Sequence, residues 1–192
     1  MSDWSDPFSG AADWSTPTPL SVAPTPAAAA TDLRGRRVLV GWPGLGWRGD
    51  LRGDDPVVRG ARTFVPVLPE ADWYRAEAEQ VEVFAPLVPV ERVWVETWAA
   101  PADEVSRLVS LDGPACRGPA PVLDAGPLTG RRVVALVDGV EQRDLRAVTE
   151  LHAGADDEVC VRVADELDWY RWAWGGQPPT TRPLPVWALW AE

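Results

Sequence analysis

Leu33-Arg34-Gly35-Arg36-Arg37-Val38 returns as Leu128-Thr129-Gly130-Arg131-Arg132-Val133, 95 residues downstream. Asp50-Leu51-Arg52 returns as Asp144-Leu145-Arg146 at an offset of 94, and Asp72-Trp73-Tyr74-Arg75 as Asp168-Trp169-Tyr170-Arg171 at 96. Pro89-Val90, Trp94 and Glu96 match Pro185-Val186, Trp190 and Glu192 at that last offset. The matches are collinear, with a deletion and an insertion where loops fall. Chance does not produce that, so the body of the chain is an internal duplication with units at 33–98 and 128–192.

Inside each unit the residues read as short strands. Arg132 to Val137 is rich in β-branched residues and meets Asp138-Gly139, a strong hairpin signal; Pro43-Gly44 occupies the same turn in the first unit. Thr63 to Leu68 and Val159 to Val163 supply a further strand, Glu82 to Val88 and Thr181 to Leu184 another, and a last strand ends in Trp94 or Trp190. The expectation is an all-β chain, two tandem small barrels of five or six strands each. In strand count, length and the late Pro-Val step before the final strand, each unit resembles the SH3-like barrels, in particular the Tudor and KOW type. The resemblance is at the level of fold and carries no function with it.

Residues 1–32 hold Pro, Ala, Ser and Thr with four acids and no base, a composition that cannot offset ordering entropy, and read as a disordered acidic arm. Within it Asp3-Trp4-Ser5 and Asp13-Trp14-Ser15 repeat at a spacing of ten. Trp4 and Trp14 are either docking anchors or the scatter of a chain with 12 tryptophans. Residues 99–127 read as a linker, with a short amphipathic helix from Pro101 through Asp103, Glu104, Val105, Leu108 and Val109 to Gly113, then Pro/Gly-rich coil.

The net charge of −11 argues against a nucleic-acid binder. No apolar run reaches the ~18 residues a membrane helix needs, and the first thirty residues carry no base for a secretory signal, so a cytoplasmic protein is expected. The absence of Lys, Asn and Ile is the composition expected of a GC-rich bacterial genome. Cys116, Cys160 and the single His152 are too few for a metal site, and no glycine pattern opens a helix after a strand, so neither metal nor cofactor is expected. Every serine lies in the arm or the linker, which leaves nucleophilic catalysis unsupplied. Glu70, Asp72, Glu77 and Glu79 supply carboxylates for a hydrolase, but Ala173 and Gly175 replace Glu77 and Glu79 in the second unit, which favours a solvated hairpin edge.

The Asp-Trp-Tyr-Arg element, read as a strand, puts Tyr74 on one face and Trp73 and Arg75 on the other. The second unit extends the first face to Tyr170, Trp172 and Trp174, an apolar stripe for the core, and leaves Trp169 and Arg171 outward. A Trp beside an Arg on an outward face is an interaction anchor; the alternative is that Trp73 and Trp169 cap the core while Arg75 and Arg171 pair with nearby acids. Trp42, Trp47, Phe64 and Trp73 would form the aromatic cage that a Tudor resemblance implies, but the second unit has no Trp at the first two positions. The leading expectation is a non-catalytic module binding a protein or peptide partner through Trp73, Arg75, Trp169, Arg171, Trp4 and Trp14. An acidic decoy for a basic nucleic-acid enzyme or toxin is the alternative class, with the arm and the second unit each carrying −4 while the first unit carries −1.

Overall fold

The computed structural model describes residues 17–99, 113–154 and 158–192. The first unit runs β1 (Ser21–Pro26), β2 (Arg37–Trp42), β3 (Gly46–Gly53), β4 (Val57–Arg59), β5 (Arg62–Pro69), α1 (Glu70–Glu79), β6 (Leu87–Pro89) and β7 (Val93–Ala99). The second runs β8 (Ala120–Pro121), β9 (Arg132–Val137), β10 (Val140–Ala147), β11 (His152–Ala153), β12 (Val159–Asp165), α2 (Glu166–Gly175), β13 (Arg182–Pro185) and β14 (Leu189–Ala191). Each unit is one curled antiparallel sheet, a half-barrel. The orders β1-β7-β2-β3-β5-β4 and β8-β14-β9-β10-β12-β11 correspond strand for strand, with β6 added to β5 and β13 to β12. The duplication read from the sequence is thus a duplication of fold.

Each half-barrel closes over its own apolar core. Val38, Val40, Leu51, Val65, Val67, Val93 and Val95 fill the first. Val133, Ala135, Leu145, Val161, Val163, Leu189 and Ala191 fill the second. These residues share one face of their strands at a period of two, and in β2, β9 and β14 the neighbours Leu39, Val134 and Trp190 are buried as well. Asp138 and Gly139 both take positive φ, 52° and 76°, and join Val137 to Val140 in a two-residue turn that matches the strand twist. Among the described residues no helix is long and apolar enough to cross a membrane.

Three expectations change. The Asp-Trp-Tyr-Arg element lies in a ten-residue helix in both units, so the strand assignment and its alternation fail. Each helix follows its strand directly and carries two acids in its first turn, Glu70 and Asp72 or Glu166 and Asp168, where the helix dipole favours them. Each ends on a left-handed residue, Gln80 or Gly176, whose N–H bonds a carbonyl of the last turn. The supposed hairpin edge of Glu70, Asp72, Glu77 and Glu79 is therefore one helix.

The second change concerns the arm. Ser21–Pro26 is an edge strand pairing with β7 from Ser21↔Ala99 to Pro26↔Trp94, and Val22 and Ala27 are buried. Prolines fit there because an edge strand leaves half its N–H groups unpaired. The arm boundary at residue 32 is thus too late; Trp4 and Trp14 lie outside the described residues. Third, β8 and the 3₁₀ turn at Val122–Asp124 belong to the second half-barrel rather than to a linker, with Val122 buried in its core. The expected linker helix falls within 100–112, outside the described residues.

Candidate functional site

The two units meet face to face around a charge cluster that sequence reading did not single out. α1 and α2 lie side by side, and Tyr74 stacks on Tyr170 with ring centroids 5.4 Å apart. Around this pair sit Arg37, Arg52, Arg132 and Arg146, all less than a tenth exposed, with Glu70 and Glu166, each 1% exposed. Beside pairs within each unit, Arg52 Nε with Glu70 and Arg146 Nε with Glu166, both at 3.0 Å, a set of bonds crosses between units and reciprocates. Arg52 Nη2 donates to Glu166 at 3.0 Å and to Asp144 at 3.3 Å; Arg146 Nη2 donates to Glu70 at 3.1 Å and to Asp50 at 3.2 Å. The Tyr74 hydroxyl accepts from Arg52 at 2.8 Å and donates to Glu166 at 3.1 Å, and Tyr170 does the same with Arg146 and Glu70 at 2.7 and 3.0 Å. This is the contact pattern of an isologous dimer, here realised within one chain.

Local backbone aims these groups. A register shift interrupts the β2–β3 and β9–β10 ladders, and Asp50 and Asp144 take left-handed φ of 54° and 59°, a conformation Asp tolerates better than most residues. Their carboxylates thereby reach the opposite unit. Burial alone would raise the Glu166 carboxyl, but Arg132 and Arg37 outweigh it and hold it at about 2. Burial, reinforced by the facing glutamates, raises both tyrosine hydroxyls despite Arg52 and Arg146. With Glu166 firmly ionised at neutral pH, it has no proton to donate, and its work is to neutralise arginines. The symmetry breaks at the rim, where Glu192 binds Arg37 at 2.9 Å and Arg143 at 2.6 Å, while its counterpart Glu96 pairs with Arg117.

Of the residues singled out as anchors, Trp73, Arg75, Trp169 and Arg171 occupy the helices and do not form a joint Trp/Arg face, because positions two apart on a helix point nearly opposite ways. Trp73 and Trp169 are half-buried against the turn glycines Gly35 and Gly130. Both glycines have positive φ, and a Cβ on Gly35 would lie 3.2 Å from the Trp73 ring. Arg75 and Arg171 are exposed and pair with Glu79 at 3.0 Å and Asp168 at 3.3 Å. Trp172 is 38% exposed, stacked edgewise on Trp169, so the expected core stripe of Tyr170, Trp172 and Trp174 does not form. Tyr74 and Tyr170 do point inward, into the interface between units.

An open aromatic groove lies on the first unit, at the β2–β3 hairpin; the exposed Trp187 of the second unit instead donates its indole N–H to Glu158 at 2.8 Å. Trp42 and Trp47, 45% and 40% exposed, wall an open groove of about 410 Å³ with Pro43, Glu91 and Arg92, and Leu45 stands at the tip, 84% exposed. Its walls are held rigidly. Arg92 donates twice to the Gly41 carbonyl, at 2.9 and 2.7 Å, and lies 4.8 Å above the Trp42 ring. Trp47 folds across its pair partner Gly41, where a Cβ would fall 2.9 Å from the ring, and its edge meets Trp94 at 6.0 Å.

The strand ladders place Val137 and Glu141 of the second unit where Trp42 and Trp47 stand in the first. There Glu141 accepts from the Leu20 N–H at 2.6 Å and from Arg143 at 2.8 Å, so the position of Trp47 is polar and engaged, while that of Trp42 holds the smaller Val137. Of the proposed cage, Trp42 and Trp47 share the groove, whereas Trp73 packs at Gly35 and does not line it. No family model, curated protein or solved structure matches the chain.

Proposed function

We propose that the chain is a non-catalytic protein-interaction module whose first unit binds a peptide segment of a partner, while the second serves as its rigid base. One observation carries this reading. Two tryptophans and a leucine stay exposed on a stiff hairpin of one unit, where the other unit carries the smaller Val137 and a Glu141 already engaged by the Leu20 N–H and Arg143. Exposed, preorganised tryptophan beside arginine is the composition of binding hot spots, where truncation of a single residue costs about 2 kcal/mol or more. The Tudor-type reading of the groove, capture of a methylated cation, is disfavoured because Arg92 already holds the face of Trp42.

The test is selection of random peptides on the full chain, repeated on a Trp42→Ala, Leu45→Asp double variant whose thermal melt matches the parent. Peptides captured by the parent should bind the variant at least about thirtyfold more weakly, the equivalent of ~2 kcal/mol. Equal binding to both proteins would place the interaction elsewhere and end the proposal.

A further inference from the structure

Beside the groove, and sharing Trp42 with it, a narrow seam opens between β3 and β6. The residues along it are core at one level and surface at the next. Val40, Leu51 and Val67 are buried, whereas Trp42, Arg48 and Pro86 are exposed. The seam holds about 150 Å³, and Arg48 is the only charged residue lining it. Whole small-molecule sites run to about 300–1,000 Å³, so this space suits a single side chain. Arg48 pairs with Val40 in the β2–β3 ladder, and its side chain makes no hydrogen bond or ion pair among the described residues.

The second unit shows what a closed seam looks like. Gln142 stands at the position of Arg48 and Arg182 at that of Pro86, and Arg182 Nη2 donates to Gln142 Oε1 at 2.6 Å across the gap. In the first unit Pro86 has no side-chain donor and Arg48 has no side-chain partner among the described residues, so the same gap lacks that closure. An uncommitted guanidinium at the mouth of an otherwise apolar slot is complementary to one kind of occupant.

We propose that this seam receives one apolar side chain of the partner peptide and that Arg48 pairs with a carboxylate next to it, so the module recognises an apolar residue flanked by Asp or Glu. The inference rests on the peptide-binding reading of the neighbouring groove and specifies its ligand. An exposed charge pair contributes modestly to affinity, and its larger part is selectivity.

Peptides selected on the full chain supply the probe. They should share a bulky apolar residue beside Asp or Glu. In isothermal titration, replacing that acid by Asn or Gln should weaken binding to the parent about fivefold, and should change nothing on an Arg48→Gln variant. The exposed position of Arg48 lets that variant fold. Selected peptides without a common acid, or an acid whose loss is felt equally by both proteins, would overturn the seam assignment and leave the groove reading standing. Failure to select any peptide would remove both. Binding that appears only once residues 1–16 are deleted, or self-association abolished by Trp42→Ala, would assign the seam to the chain's own arm or to a second copy and overturn the assignment to a partner.

Discussion

Replacing Glu166 by Gln should be among the most damaging single changes of charge available to this chain. The carboxylate meets Arg132 Nε at 2.8 Å, Arg52 Nη2 and Arg146 Nε at 3.0 Å, and the Tyr74 hydroxyl at 3.1 Å. Gln keeps the volume and removes the charge, so the arginines lose a central counter-ion while staying buried. Breaking one side of a buried ion pair costs about 3–5 kcal/mol, most of it the desolvation of the groups left behind. Against a total stability of about 5–15 kcal/mol, that is a large fraction. With a urea slope of about 2–3 kcal/mol per M, the unfolding midpoint should fall by roughly 1–2.5 M. The exposed mutant Arg171→Gln is the control and should stay within about 0.5 kcal/mol of the parent. A double-mutant cycle of Glu166→Gln with Arg52→Gln, its partner across the interface at 3.0 Å, should return a coupling of at least ~1 kcal/mol. A Glu166–Arg52 coupling below about 0.5 kcal/mol would refute the view that crossed charges hold the units together.

Further outcomes follow from the same geometry. Glu166 is held at about 2 against 4.5 in a free chain, so its contribution is complete above pH 4.5 and is lost as pH falls towards 2. At ~1.4 kcal/mol per tenfold that is about 3 kcal/mol, and calorimetric melts between pH 5 and 2 should show it. Truncation through residue 32 should lower the melting temperature by well over 5 °C because it removes β1 with buried Val22 and Ala27, as a thermal scan against a 1–16 truncation will show. Tyr74→Phe should cost about 1–2 kcal/mol in denaturant unfolding, since Arg52 and Glu166 each lose a hydroxyl partner in a part-buried site.

The duplication, the strand-rich core and the Asp138-Gly139 turn were legible because each is local: a repeated motif, a two-residue period, two residues that accept positive φ. The helices were not, because Trp and Tyr favour strands and ten residues give little periodic signal. The spacing of Glu70, Trp73, Tyr74 and Glu77 is nonetheless helical, and so is that of Glu166, Trp169 and Tyr170. Tertiary packing of one helix on the other decides between the two readings. The edge strand was hidden by proline, since composition argues for coil wherever Pro and Ala accumulate. The repeat itself extends there: Pro24, Pro26, Ala30 and Leu33 return as Pro119, Pro121, Ala125 and Leu128 at the offset of 95.

The interface cluster also left a trace. Arg37 and Arg52 in the strands, Glu70 at the helix start, and their counterparts Arg132, Arg146 and Glu166 are charged in both copies beside apolar runs. Ionic residues duplicated at core-like positions imply that the copies face one another. The open groove was half legible: Trp42 and Trp47 stood out, but their exposure depends on Gly41, Arg92 and the hairpin geometry, which no local pattern encodes.

On the proposed function, binding belongs to the first unit's hairpin rather than to the Trp/Arg helices. Indole N–H resonances of the full chain, assigned and followed during titration with a selected peptide, test it directly. The account predicts that the signals of Trp42 and Trp47 shift in a saturable way while those of Trp169, Trp172 and Trp187 stay in place. Shifts confined to Trp73, Trp169 and Trp172, with Trp42 and Trp47 unmoved, would contradict it.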